Sequence, residues 1–378
     1  MLVGGSKTVA TTQAVQRRWL KQADLFLVLL MAAAIGVGIT SLASIAANGS
    51  PGYLKRQLVW VALGMVGFLA GAVVDCERLS RFARGIYTLN VSLLVAVLII
   101  GHEAKGSVRW FGTETVRFQP SELAKLLAIL TLAALFSRRI EDIQKLRVFL
   151  LSVVHVLVPI ILIMKQPDLG TSLAIVAVWV GMAFVADMPV KRIAVFLLGG
   201  ALVLLLAWKI GVIHDYQKAR LMAVLQPDAD PGGATYQVRQ ARIAIGAGQV
   251  TGRGFSQGSQ AHRKFIPERQ TDFIFTVPAE EGGFVASVFI VAVYTALLLR
   301  GWLVVVSTTD LYSRLVAAGI LSMLGFHIYV NLGMTMGLLP VTGVPLPFIS
   351  YGGSATVVAM TSVGLLVGIS GRREALVF

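Results

Sequence analysis

Charge is what this sequence holds least of. Lys, Arg, Asp and Glu make up 14% of its 378 residues, against about a quarter in a soluble domain. With 56% apolar residues and a mean hydropathy of +0.78, a polytopic membrane protein is the first reading. Cysteine is almost missing: Cys76 stands alone, so no intrachain disulfide can form and the redox compartment stays open. The five histidines (102, 155, 214, 262 and 327) show no metal-ligand spacing, which leaves them polar or packing roles. Acidic residues are outnumbered 33 to 19, a net charge of +14. In a soluble protein that excess would suggest nucleic acid; beside long apolar runs it marks basic residues flanking membrane helices on the cytoplasmic side. Fixed-period repeats and low-complexity tracts are lacking too.

What the chain does have is apolar runs. A polar, basic lead (Lys7, Arg17, Arg18, Lys21) precedes a run at 24–46 that is too long for a signal-peptide core and has no convincing cleavage site. It suffices to cross a ~30 Å hydrocarbon layer. Further spans are predicted at 57–74, 85–101, 120–136, 147–164, 170–187, 191–212, 279–299, 314–337 and 351–370. The expectation is an all-α bundle of ten transmembrane helices, one integral membrane domain over 1–378. Glycines at 64, 67 and 71 fall on or near one face of the second span, as in helices that approach closely in lipid.

Orientation follows the basic residues. Seventeen belong to the N-terminal segment, the even-numbered connections and the tail, whereas the short odd-numbered connections hold six. Both termini are therefore expected in the cytoplasm and the long 213–278 connection outside. Within that connection QPDADPGGA (226–234) reads as a turn. The stretches 215–225 and 235–248 suit short amphipathic helices at the membrane surface.

Charged residues at membrane depth are costly, so each is a functional candidate. Four polar groups stand out. In GSVRWFGTETVRFQPSELAK (106–125), Pro120 suits a helix start, Ser121 can cap it, and Glu122 and Lys125 share a helical face. Those two form an ion pair, or Lys125 joins Arg109 and Arg117 in an anion site toward the outer leaflet; spacing leaves both open. In KQPDLGTS (165–172), Pro167 separates two spans and Asp168 sits where an N-cap belongs. The third group, GRGFSQGSQAHRKFIPERQTDFIFTVPAEEGG (252–283), places Asp272 after the basic residues Arg263, Lys264 and Arg269. Its glycines at 252, 254 and 258 lie in no strand–helix unit, so they mark a close-approach loop rather than a phosphate loop. Glu280 and Glu281 open the eighth span, where acidic residues complement the helix dipole. In GLLPVTGVPLPFISYGGSA (337–355), three prolines and several glycines end an apolar helix. Irregular backbone at that depth fits a re-entrant loop flooring an outward cavity.

These four groups, in this order, resemble the SEDS family (shape, elongation, division and sporulation proteins). The likeness rests on RWF…QPSELAK, QPDLGTSL, the GxGF-QGSQ…TDFIF…AEE stretch and LLPVTGVPLPFISYGGS, and spans Arg109 to Ser354. The wording GSQ…ERQTDFIF is closer to the elongation branch than to the division branch, and AEEGG replaces the more frequent AEELG. The resemblance implies a ten-helix glycosyltransferase of the bacterial cytoplasmic membrane that polymerises lipid II into peptidoglycan, working with a class B penicillin-binding protein. It matches Asp272 to the family's essential aspartate and Trp110, Glu122 and Lys125 to functionally important positions.

On that footing the chemistry joins the groups. A sugar hydroxyl attacking a polyprenyl-diphosphate-linked donor needs a base, which Asp272 supplies. The departing diphosphate needs positive charge from Arg, Lys or a divalent cation, magnesium or manganese; no other cofactor is called for. The residues expected to hold substrate are Arg109, Trp110, Arg117, Glu122, Lys125, Asp168, Lys264, Arg269 and Ser350. A lipid II flippase would require polar residues along a full transmembrane route, whereas here they cluster toward the outer side. A non-catalytic scaffold would leave Asp272 replaceable.

Overall fold

A computed structural model describes residues 24–47, 49–104, 107–112, 117–211, 220, 233–258 and 266–372. Lys264 lies outside the described residues, as do most of the 215–225 stretch and of the predicted 226–234 turn.

The apolar runs become helices. Among the described residues the order is α1 (Leu25–Ala47), α2 (Pro51–Val73), α3 (Cys76–Arg81), α4 (Ala83–Ile100), strands β1 (His102–Ala104), β2 (Ser107–Gly112) and β3 (Arg117–Phe118), then α5 (Pro120–Ser137) and α6 (Leu146–Met164). There follow α7 (Leu169–Val185), α8 (Val190–Ile210), α9 (Ala234–Ala247), α10 (Thr276–Ser307), α11 (Leu311–Thr335) and α12 (Gly353–Gly371). Nine of these are long and apolar enough to cross a membrane, and α7, at 17 residues, is a shorter apolar helix. These ten match the ten predicted spans, with α2 starting earlier and α10 running longer at both ends.

The bundle is nearly all-helical, with one addition that the sequence reading lacked. Strands β1, β2 and β3 form a small antiparallel sheet between α4 and α5, with His102 opposite Trp110 and Phe111 opposite Phe118. It closes one end of the bundle beside the N-terminus of α5.

Burial follows position. Helices α5, α11 and α12 run through the interior, each with most of its residues buried. In α8, by contrast, Ile193 alone is buried, as suits a helix facing lipid. The glycine face of α2 meets α12 at near backbone contact: a methyl at Gly64 would overlap Met360, and one at Gly364 would overlap the Phe68 carbonyl.

Helix α10 is broken at Gly283, whose φ of 65° and ψ of −153° lie in a region reserved for glycine. The break leaves carbonyls and amides unpaired, and the loop after α9 takes them up. Arg253 and Gly254 N–H donate to the Glu280 and Glu281 carbonyls (3.0 and 2.9 Å), and Phe284 and Val285 N–H donate to Gln249 and Val250 (2.8 and 3.2 Å). So close an approach excludes side chains, since a methyl at Gly248, Gly252 or Gly283 would overlap the opposing backbone. The close-approach reading of that glycine loop is thus made concrete. The dipole reading of Glu280 and Glu281 is corrected: both lie beyond the first turn of α10 and are buried. Arg253 lies 3.9 Å from Glu280, and Ser44 donates to Glu281.

Helix α9 also differs from expectation in its role. Its Val238, Ala241 and Ala244 pack with Ile266, Phe273, Met334 and Val341 in a second apolar cluster, so its apolar face turns to the protein.

Gly283→Ala is expected to lower stability by about 1–3 kcal/mol, the cost of a side chain in that conformation, and by more through overlap with the 248–252 loop. Gly36→Ala, in open space on α1, is expected to be neutral or better. Thermal unfolding of both variants in detergent measures the difference.

Candidate active site

Four predicted polar groups meet at one end of the bundle, where α5, α7 and α10 begin and α11 ends. Their meeting point is the irregular segment 338–352, which the prolines keep from being helical. Its residues touch the other groups one after another. A methyl at Gly170, at the start of α7, would lie 3.0 Å from the Thr342 carbonyl. Gly343 has a φ of +74°, and a methyl there would lie 3.4 Å from Asp272 Oδ2 and 3.6 Å from Arg220 Nη1. Val344 accepts from Asn331 Nδ2 at 2.7 Å, and Pro345 lines one cavity together with His327.

Asp272 is half-buried in a run of turns leading into α10. Its main chain is pinned rather than helical: the Gln270, Thr271 and Asp272 carbonyls accept from Tyr351 N (2.8 Å), Ser350 Oγ (2.6 Å) and Asn331 Nδ2 (2.9 Å). Ser350 also accepts from Leu346 N at 2.8 Å. That hydroxyl therefore donates to one backbone group and accepts from another, tying the loop to the turn that carries Asp272.

The Glu122–Lys125 ion pair forms. Its ammonium, 1% exposed, lies 2.9 Å from each Glu122 oxygen and 2.9 Å from His327 Nε2. Three donors meet three acceptors. His327 thus has a partner that the histidine spacing did not suggest. Glu122, Lys125, His327, Pro345, Ser350 and Thr356 line a cavity of about 20 Å³, room for about one water molecule.

Asp168 is the cap that its position predicted: it accepts from Thr171 N (3.0 Å) and Thr171 Oγ1 (2.9 Å). It does more than cap α7, because Gln119 Nε2 donates to it at 3.0 Å and Arg109 Nη1 lies 3.9 Å away. Ser121 is no N-cap; it lies inside α5, accepts from Gln119 and points its hydroxyl at Asp168. Arg109 and Trp110 sit on β2 and Arg117 on β3, so the sheet places them at the same end as Asp168.

Arg269 is 4% exposed, and its Nη1 has no hydrogen-bond acceptor among the described residues. Burial lowers its guanidinium pKa from the ordinary value, opposed by nearby Tyr53. A desolvated cation of this kind suits an anionic ligand group. Among the described residues no cluster of three or more His, Cys, Asp or Glu could hold a metal ion. A cation carried by a diphosphate needs few protein ligands.

Sequence reasoning missed Asn331 and Arg220. An asparagine inside an apolar helix is itself a signal, because a buried amide needs partners. Arg220 lay hidden in a stretch read only for its amphipathic pattern.

The arrangement defines a polytopic membrane protein with a carboxylate, buried charges and an irregular loop gathered at one end. The FtsW/RodA/SpoVE family model, described as cell cycle protein, matches residues 22–375, and the chain belongs to that family. It is 36% identical to the peptidoglycan glycosyltransferase MrdB of Escherichia coli K12 over 325 residues, covering 86% of this chain and 87% of that protein. A chain in a peptidoglycan synthase complex that coordinates polymerization and crosslinking superposes with a TM-score of 0.80 at 33% identity, covering 93% of this chain and 98% of that one. The crystal structure of the rod shape determining protein RodA from Thermus thermophilus gives 0.70 at 30% identity, covering 93% and 98%.

Proposed function

We infer that this chain is a peptidoglycan glycosyltransferase of cell-wall elongation and that Asp272 is its general base. The observation that carries the assignment of the base is the placement of Asp272: its main chain is pinned at three successive carbonyls, and its carboxylate is set against the Gly343 turn beside Arg220. The substrate on this reading is lipid II. Asp272 takes the proton from the 4-hydroxyl of the acceptor GlcNAc as its oxygen attacks C1 of the donor MurNAc. The C1–O bond to the diphosphate breaks, and the polyprenyl diphosphate leaves with the electron pair. Direct displacement inverts the α linkage to β and needs one base and no covalent intermediate. Positive charge for the leaving group comes from Arg220 and Arg269, with Arg109 and Arg117 on the sheet above. Polymerisation of lipid II by the purified protein, with and without Asp272→Asn, tests the reading.

The partner on this reading is a class B penicillin-binding protein bound through transmembrane helices, in keeping with the likeness to a chain of a synthase complex. The site end of the bundle then faces outward from the cytoplasmic membrane and both termini face inward, as the basic residues argue. Cysteine labelling checks this orientation. Native Cys76 is buried, and burial pushes its thiol up to about 11, so it stays protonated and unreactive at neutral pH. A membrane-impermeant maleimide added to intact cells is expected to label Gln257→Cys and to spare Arg78→Cys. The reverse pattern would overturn the topology.

A further inference from the structure

We propose that Asn331 is a positioning residue that sets the Asp272 carboxylate for catalysis; this rests on Asp272 being the base. Asn331 is fully buried near the outer end of α11. Its amide donates one N–H to the Asp272 carbonyl at 2.9 Å and the other to the Val344 carbonyl at 2.7 Å. Two facing carbonyls fix which end of the side chain is the NH2, since the oxygen would be repelled by both. One rigid group therefore holds the main chain carrying the carboxylate and also the turn beside it, for Val344 follows Gly343, where an added methyl would lie 3.4 Å from Asp272 Oδ2.

Two further features separate this from ordinary packing. Asn331 Oδ1 is buried and has no hydrogen-bond partner among the described residues, a cost that an apolar residue would avoid. The 266–275 stretch is a series of turns rather than a helix, so the position of the Asp272 main chain depends on contacts such as this clamp. Tyr351 N and Ser350 Oγ hold the two preceding carbonyls; Asn331 is the side chain bonded to the Asp272 carbonyl itself.

The test uses the purified full chain with lipid II and compares Asn331→Ala with Asn331→Leu, which keeps bulk but donates nothing. Rates are expressed per folded molecule, with the folded fraction taken from thermal unfolding. Misplacing a catalytic group by about 1 Å costs on the order of 10²-fold, so kcat is expected to fall by that order while KM for lipid II stays near wild type. On the Asp272→Asn background neither substitution is expected to lower the residual rate further. An unchanged kcat per folded molecule in both variants would overturn the proposal, as would a loss carried by KM. An equal fold-loss on both backgrounds would overturn it as well. If Asp272→Asn alone left the wild-type rate, the base assignment would fail first, and that result is read separately.

Discussion

Asp272→Asn is expected to lower lipid II polymerisation by about 10²–10⁴-fold at saturating substrate, the range that general-base assistance supplies. Asparagine keeps the shape of the side chain and removes its basicity. The main-chain carbonyls of 270–272 accept from Asn331, Ser350 and Tyr351, and the substitution leaves these bonds intact. Thermal unfolding and membrane insertion should therefore match wild type, which separates lost chemistry from lost fold. Asp272→Glu carries its oxygen about one bond further out, so weak residual turnover is expected where the longer arm still reaches the hydroxyl. Near wild-type polymerisation by the asparagine variant would move the base elsewhere. Neither nearby carboxylate is well suited to replace it. Asp168 is committed to Thr171 and Gln119, and Glu122 is neutralised by a buried ammonium.

How much of this was legible beforehand depends on the kind of force involved. Helix positions in a membrane follow from apolar length, which a sequence displays openly, so all ten spans could be placed and, α2 and α10 apart, bounded to within a few residues. Capping is equally local: Asp168 precedes Thr171 by three residues, and the hydrogen bond follows. The small sheet was harder, because β1 and β3 have three and two residues, too few for alternation to register. The break at Gly283 was invisible because its partners, 248–254, lie some thirty residues earlier in the chain, and only the folded loop brings them together. The four polar groups were legible in the sequence, and their internal wiring was not. Nothing in the spacing shows that Ser350 serves two backbone groups. Lys125 was placed between an anion site and an ion pair, and spacing could not reveal His327, two hundred residues away, as its third acceptor.

That third acceptor decides the other large expectation. Lys125→Ala should destabilise the protein by about 3–5 kcal/mol, the usual consequence of removing one partner from a buried ion pair. The ammonium is 1% exposed and its three N–H groups are all engaged, so its removal leaves Glu122 charged and unpaired at 6% exposure. His327 loses its donor at the same time. The effect should spread, because His327 and Pro345 line the same cavity and Pro345 belongs to the loop that faces Asp272. Activity is thus expected to fall together with the folded fraction. The control is Lys125→Met combined with Glu122→Leu. Replacing both charges by apolar groups of similar volume is commonly neutral or stabilising, so this variant should recover the unfolding midpoint. Recovery of polymerisation in step with stability would identify the pair as architecture. A stable double variant that stays inactive would instead show that these charges serve the chemistry, through the loop that they support or through the substrate itself. A Lys125→Ala protein as stable as wild type would contradict the buried pairing altogether.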